Sequence, residues 1–241
     1  MELYVIRHGQ SANNALQEGG RRVCDPPLTD IGEIQAERLA RYLVANGRGA
    51  DGTHPAGKQQ NCAGFGFDRL FSSPMLRAIQ TASPVGRALG IRPEIWIDIH
   101  EEGGIWLDEG DGRGEVGYPG LTRSEIAGRF PDFAVPEAIT EQGWWNRPPE
   151  VRSEWRARAR RVASVLHERF AGTGERIALV CHGGFANDLL HAVFAGMPDG
   201  VYFESPNTAV SRLDFNGKGW VQIRYLCRVT HLPPELITGS V

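Results

Sequence analysis

The sequence lacks the features of several large protein classes. Its 241 residues carry a net charge of −3 and no long run of like charge, which argues against a nucleic-acid binder, since such proteins carry a basic excess. No apolar stretch approaches the roughly 18 residues that suggest a membrane span. The N-terminus shows no basic stretch followed by a long apolar run, so we expect no signal peptide.

Metal and disulfide signals are equally scarce. The four cysteines, Cys24, Cys62, Cys181 and Cys227, form no C-x-x-C pair, which is typical of reduced thiols in a cytoplasmic protein. His100 lies next to Glu101, but no third residue has the spacing of a metal ligand. We therefore predict a cytoplasmic protein without a metal or other cofactor and without membrane association.

What is present is an ordinary globular composition, 41% hydrophobic and 23% charged. Short β-prone apolar runs at 3–7, 69–72, 94–99 and 176–181 alternate with segments of helical periodicity, and a last strand pair follows at 209–215 and 220–226. Ser73-Pro74 reads as the cap and first residue of one helix. Asp30 and Glu33 read as the capping pair of another.

This alternation predicts an α/β fold with helices on both faces of the sheet. We expect one domain over residues 1–241, because neither a repeat nor a linker interrupts it. Two segments depart from the pattern and are predicted as irregular insertions, one at about 46–66 and one at about 103–150. The second carries seven glycines within 103–120 and one short helix at 122–130.

Two apolar strands each end in a His-Gly pair, one at His8 and one at His182. Ligands of α/β sheets bind beyond the carboxyl ends of the strands, so the two histidines are expected to share one crevice. The glycine after each histidine allows close approach of the backbone to a ligand. The helix that begins near Gly184 would direct free N–H groups at an anion.

The quoted segments resemble the histidine phosphatase superfamily, which includes the cofactor-dependent phosphoglycerate mutases. The resemblance rests on four ordered motifs, Arg7-His8-Gly9, Pro27-Leu28-Thr29 with Gly32, Ser72-Ser73-Pro74 with Arg77-Ala78-Ile79-Gln80-Thr81-Ala82, and Cys181-His182-Gly183-Gly184. It implies a three-layer α/β/α sandwich with a mostly parallel central sheet, as in phosphoglycerate mutase, and a substrate that is a small phosphorylated metabolite.

The resemblance also implies a role for each motif residue. His8 would be the nucleophile that becomes phosphohistidine, with a neutral imidazole. Arg7, Arg77 and His182 would hold the phosphoryl oxygens, as a guanidinium fork suits phosphate geometry. Asn14 and Gly183 would complete the phosphate site. Gln10 and Ser11 would lie behind it or at its rim.

The leaving group needs a proton, so a carboxylic acid should lie opposite His8. The resemblance places this acid after the third strand, which makes Glu101 our choice and Glu102 the alternative. The alternative without a catalytic role is that both are solvated carboxylates of a loop. Arg21 and Arg22 are either exposed loop residues or face the pocket mouth and a second anionic group. Trp106, Trp144 and Trp145 are either core residues or part of a lid.

Three functions stay open at this point. The first is a metal-independent phosphomonoesterase that transfers its phosphoryl group from His8 to water. The second is a phosphoglycerate-type mutase, whose pattern usually has glutamate where this chain has Gln10. The third is an inactive protein that binds a phosphorylated ligand, which the presence of His8, Arg7, Arg77 and His182 disfavours. A homodimer is compatible with each of the three.

Overall fold

A computed structural model describes residues 1–47, 65–112, 114–194 and 196–239. Most of the predicted 46–66 insertion, including Cys62, lies outside these residues. The described residues form eight strands, β1 (Glu2–Arg7), β2 (Arg69–Ser72), β3 (Glu94–Ile95), β4 (Trp106–Asp108), β5 (Glu115–Gly117), β6 (Arg176–Cys181), β7 (Val210–Phe215) and β8 (Val221–Arg228). They also form five α-helices, α1 (Asp30–Ala45), α2 (Leu76–Leu89), α3 (Arg123–Arg129), α4 (Arg152–Phe170) and α5 (Gly183–Val193).

Six of the strands make one mixed sheet in the order β3-β2-β6-β1-β7-β8. The first four run parallel to one another, whereas β7 is antiparallel to both β1 and β8. The prediction of a mostly parallel central sheet is confirmed. The predicted strand at 94–99 is shorter, because only Glu94–Ile95 pairs and a 3₁₀ helix follows at Ile97–Ile99.

Helices cover both faces of this sheet, because successive side chains of a strand point to opposite faces. Tyr4 and Ile6 of β1 join a core cluster with residues of α1 and α2. Leu3 and Val5 of the same strand join a second cluster with residues of α4 and α5. The result is the predicted three-layer α/β/α arrangement.

The register of the parallel strands brings the two histidines together. Arg7, the last residue of β1, pairs with Cys181, the last residue of β6. The chain then continues into His8 and His182 at the same edge, and the His8 amide donates to the Cys181 carbonyl at 2.9 Å. Because β2 pairs in parallel with β6 on its other side, Ser73 follows at that edge too.

Both predicted helix starts need correction. The N-cap of α1 is Thr29, whose hydroxyl accepts from the Gly32 amide at 3.1 Å, so Asp30 is already helical. Helix α2 begins at Leu76 rather than at Pro74, and Ser73 is not its cap. The Leu76 amide instead donates to the carboxylate of Asp25 at 3.1 Å, a partner 51 residues away that local sequence rules do not reveal.

The 103–150 segment is less irregular than predicted. It contains the antiparallel pair β4–β5, which was not predicted, and the short helix predicted at 122–130, which is α3. Trp144 and Trp145 are buried and their rings pack against the ring of His100. Of the two alternatives predicted from the sequence, core residues or part of a lid, these two tryptophans are therefore core residues.

Candidate active site

His8 is 2% exposed and lies at the base of a cavity at the carboxyl edge of the sheet. Its Nδ1 lies 2.6 Å from the Gly9 carbonyl oxygen. A carbonyl can only accept, so Nδ1 carries the ring proton and Nε2 is left with a lone pair. Burial, and then the nearby Arg77 and Arg7, hold the pKa of His8 well below its usual value. The imidazole is therefore neutral at physiological pH.

Arg77 reaches this nitrogen directly. Its Nε donates to His8 Nε2 at 3.1 Å. Its Nη1 lies 3.7 Å from the Asp25 carboxylate, which also receives the first amide of α2. Burial raises the pKa of Asp25 to about 6. Asp25 thus fixes both the helix that carries Arg77 and the guanidinium itself.

His182 stands behind His8, with 5.1 Å between the ring centroids. It is fully buried, its Nε2 lies 2.7 Å from the Ser73 hydroxyl, and its Nδ1 has no partner among the described residues. Neither His182 nor Gly183 is among the described residues that line the cavity. Ser73, which the sequence presented as a helix cap, positions this ring instead.

Arg7 and Asn14 line the cavity on the side of the chain's C-terminal segment. Arg7 Nη1 donates to the carbonyl oxygens of Ser205 and, at 2.8 Å, Gly239, and its buried Nε has no partner in the described part of the chain. The Asn14 Oδ1 accepts from the Ser11 amide and from Asn207 Nδ2. With its carbonyl oxygen occupied, Asn14 has its Nδ2 donors to offer to a ligand.

Glu101 and Glu102 line the same cavity as Arg7. Glu101 occupies the N-terminus of α5, where its two oxygens accept from the Gly184 amide at 3.3 Å and the Phe185 amide at 2.8 Å. These are the N–H groups that the sequence assigned to a bound anion. In this structure a carboxylate of the chain itself, that of Glu101, fills that position.

A buried arginine fixes the loop that carries these acids. Arg158, 1% exposed on α4, donates to the carbonyls of Asp98 and His100 at 2.9 and 2.8 Å. Its guanidinium also forms a two-pronged ion pair with Glu150, at 2.7 Å for the shortest contact. Although burial opposes ionisation of Glu150, polar contacts with His100 and Arg158 outweigh it and hold its pKa at about 2.

The cavity measures about 160 Å³, and its outer wall includes Arg22, Trp106 and Cys24. Arg21 points away and pairs with Glu109 at 3.1 Å. Arg22 is exposed. The pKa of Arg77 is lowered chiefly by burial, and Arg22 is close enough to add a small further lowering. Of the two alternatives left open for these arginines, Arg22 fits the pocket mouth and Arg21 fits an exposed loop residue.

A sequence profile of the histidine phosphatase superfamily (branch 1) matches residues 3–53 and 46–227. The chain belongs to this superfamily. A 2,3-bisphosphoglycerate-dependent phosphoglycerate mutase of Methylobacterium radiotolerans is 30% identical over 75% of this chain and 73% of its own length. A PE-PGRS family protein of Mycobacterium tuberculosis is 31% identical over 43% of this chain, and the match spans 15% of that protein.

Solved structures place this superfamily member in the same fold. The ecdysone phosphate phosphatase of Bombix mori, in complex with tungstate, superposes with a TM-score of 0.60 at 14% identity, over 97% of this chain and 93% of that one. A mutant phosphoserine phosphatase of Entamoeba histolytica, in complex with phosphoserine, gives a TM-score of 0.59 at 19% identity, over 96% and 99%. The phosphoglycerate mutase-like fold implied by the motifs is confirmed.

Other sequence expectations concern absences. In the described ranges, no helix is long and apolar enough to cross a membrane. The same residues contain no group of three or more His, Cys, Asp or Glu side chains arranged to hold a metal ion. Cys24, Cys181 and Cys227 are free thiols. Cytoplasmic location, independence from metals and dimerisation stay predictions.

The structure adds four residues that sequence reasoning did not place at the site, Asp25, Ser73, Asp188 and Asn207. Asn207 donates from Nδ2 to the His8 carbonyl at 3.1 Å, so it fixes the end of β1. Its only sequence signal is a polar turn before the last strand pair. Gln10 lies behind the site, as expected, and its side chain accepts from the Thr29 hydroxyl at 2.7 Å.

Proposed function

We propose that this superfamily member is a phosphatase that hydrolyses a phosphomonoester of a small metabolite through a phosphohistidine on His8. One observation carries the proposal. His8 presents an unprotonated Nε2 at the base of a cavity, and the Arg77 guanidinium lies 3.1 Å from that nitrogen. A neutral imidazole is the form that can attack phosphorus, and a guanidinium beside it neutralises the charge that spreads over the phosphoryl oxygens.

In the first half-reaction, His8 Nε2 bonds to phosphorus and the ester P–O bond breaks. Arg77 Nε then transfers its hydrogen bond from the imidazole to a phosphoryl oxygen. Arg7, Asn14 and His182 are proposed to hold the remaining oxygens, with the Gly183 amide as a further donor. The leaving oxygen takes a proton from one of two adjacent carboxyl groups, Glu101 or Glu102. Water then cleaves the P–N bond and releases phosphate.

The positions of the cations support a reaction that needs no metal. Phosphoryl transfer depends chiefly on positioning and on neutralising charge, which protein cations can supply. Arg7 and Arg77 are both buried or nearly so and both line the cavity. We therefore expect hydrolysis of an aryl phosphate to persist in a strong chelator. Loss on chelation, with recovery on adding a divalent ion, would contradict the metal-independent mechanism.

The nucleophile is tested by rapid quench with a radiolabelled phosphoester. His8→Ala should abolish turnover together with the acid-labile, base-stable phosphoprotein. His167→Ala is the matched control, because His167 is an exposed residue of α4, and it should keep both. A phosphoprotein that persists in His8→Ala would place the nucleophile elsewhere, with His182 the first to test.

A mutase is the second candidate, because the 30% identical relative carries that name. The two activities differ in what accepts the phosphoryl group from His8. The phosphoenzyme is made with labelled substrate, and its decay is compared in buffer and in buffer with 3-phosphoglycerate. A hydrolase releases inorganic phosphate at the same rate in both, whereas a mutase transfers label to the sugar acid.

A further inference from the structure

A second pair of carboxyl groups meets beside the cavity. Asp188 lies on α5, is 6% exposed, and is close enough to Glu102 for the two carboxyl groups to interact. Two ionised carboxylates have no hydrogen to share, so a hydrogen bond between these two needs a proton on one of them. The Asp188 Oδ2 is buried and has no donor among the described residues, and a proton held by Glu102 would supply one.

Glu101 has the opposite environment. Its Oε1 accepts from the amides of Glu102 and Phe185, at 3.1 and 2.8 Å, and its Oε2 accepts from the amide of Gly184. Backbone N–H groups can only donate, so both Glu101 oxygens serve as acceptors. The N-terminus of α5 adds a favourable partial positive charge. Of the two adjacent acids, Glu101 is thus engaged by backbone amides, and Glu102 is the one left to carry a proton.

The two acids are also neighbours in space. A Cβ built on Gly184 would stand 2.8 Å from Glu101 Oε1 and 2.8 Å from Glu102 Oε1. Both carboxyl groups therefore converge on one glycine at the cavity edge, which a larger residue could not allow without moving them. Because the ionised Glu101 lies beside Glu102, it adds to the repulsion that disfavours a second negative charge there.

We propose that Glu102 is the acid that protonates the leaving group, and that Asp188 is the positioning residue that keeps the proton on it. The inference rests on the phosphatase function proposed above. As His8 Nε2 bonds to phosphorus and the P–O bond breaks, the Glu102 O–H proton passes to the leaving alkoxide. Glu102 becomes a carboxylate. It recovers a proton from the water that attacks the phosphohistidine, so the cycle balances.

The surrounding charges support this assignment. Burial, then the Glu101 and Asp188 carboxylates, raise the pKa of Glu102 to about 7, while Arg158 on α4 opposes the rise. Asp188 in turn faces Arg156 on α4 and His191 on α5, and Tyr202 lies near both acids of the loop. A raised pKa means that Glu102 is protonated below neutral pH and loses its catalytic proton as the pH rises.

The first experiment compares two substrates in two variants. An alkyl phosphate leaves as a basic alkoxide and needs the proton, whereas nitrophenolate leaves nearly unaided. Glu102→Gln should slow the alkyl ester by about 10²–10⁴-fold and the nitrophenyl ester far less. Glu101→Gln should leave the ratio of the two rates within a few-fold of wild type. A selective loss in Glu101→Gln alone overturns the assignment.

The second experiment measures the pH profile of kcat/KM for the alkyl ester. Asp188→Asn removes the neighbouring negative charge and offers an amide donor, so the alkaline limb should move to lower pH by about one unit or more. Asp199→Asn is the matched control, because Asp199 pairs with the same Arg156 at 2.9 Å but is an exposed residue. An unshifted limb in Asp188→Asn removes Asp188 from the mechanism.

A third measurement needs no catalysis. The Glu102 side-chain ¹³C carboxyl resonance is titrated in the wild-type protein and, where it folds, in Asp188→Asn, with assignment from Glu102→Gln. Titration near neutral pH in the wild type supports the proposal, and ordinary titration in the acid range overturns it. If the wild type releases no phosphate and forms no phosphohistidine, the proposed function fails while this titration still reports on the carboxyl pair.

Discussion

The two sides of the cavity are built by different means. On the phosphoryl side, His8 and His182 follow directly from paired strands, and the register of β1 on β6 sets their separation. On the acid side, Glu101 and Glu102 lie in a loop, and the Arg158 side chain of α4 and backbone amides of α5 hold that loop. Backbone pairing tolerates many substitutions, whereas a loop held by one guanidinium depends on that residue.

The phosphoryl side should show the largest catalytic effect. Arg77→Ala removes the only described side-chain donor to His8 Nε2, and cationic groups of this kind contribute about 10³–10⁵-fold to phosphoryl transfer. We expect kcat to fall by about 10³-fold or more for alkyl and nitrophenyl esters alike. Arg87→Ala, an exposed position on the same helix, should be near wild type. A loss below tenfold would show that Arg77 does not act on the reacting phosphoryl group.

The acid side should be the more fragile in stability. Arg158→Met removes the two-pronged partner of buried Glu150 and leaves it only the exposed Arg147, at 3.0 Å, and His100. Breaking a buried pair in this way costs about 3–5 kcal/mol of unfolding free energy. Glu150→Gln/Arg158→Met should recover much of this loss, because no unpaired charge remains. Arg160→Met, at an exposed position of α4, controls for helix effects. Chemical denaturation measures the unfolding free energy of all three. If Arg158→Met alone is as stable as wild type, another group holds the loop.

Gly184→Ala tests the acid side without removing a charge. The new Cβ would approach the Glu102 carboxyl carbon to 2.7 Å, so the acids must move by rotation of flexible side chains. A displacement of about 1 Å can cost about 10²-fold in rate, and we expect this loss for alkyl esters with a smaller one for nitrophenyl esters. Gly128→Ala, where a Cβ meets nothing within 4 Å, is the control. Equal losses for both esters would indicate damage to the phosphoryl side instead.

The smallest effect is expected at the mouth. Arg22 has an exposed side chain on the cavity wall, so it can act on binding but not on the reacting bond. Arg22→Ala should raise KM several-fold for a phosphoester that carries a carboxylate, such as phosphoserine, about the size of one exposed charge contact. kcat should stay unchanged, and phosphoethanolamine should be unaffected. Arg21→Ala serves as the control, and equal KM changes for both esters would rule out a contact with the carboxylate.

Local patterns predicted the features that depend on neighbouring residues in the chain. Alternation and β-propensity located β1, β2 and β6, since a strand that is buried on both faces must be apolar along its length. The same logic failed at helix starts. Serine is a common helix cap, yet the Ser73 hydroxyl contacts His182 instead. Strand β2 ends just before Ser73, at the sheet edge where the His182 ring is buried.

The sequence by itself determined the α/β class, the two His-Gly strand ends and the cations proposed to bind phosphate, because strand periodicity and short motifs are local. Only the tertiary structure distinguished the two candidate acids. Glu101 and Glu102 are adjacent and chemically alike, so nothing in their local sequence separates them. Residues more than 80 positions further along the chain distinguish them, because the amides of α5 donate to Glu101 and Asp188 lies beside Glu102. Burial and long-range contacts set protonation, and both arise only when α5 packs against the loop.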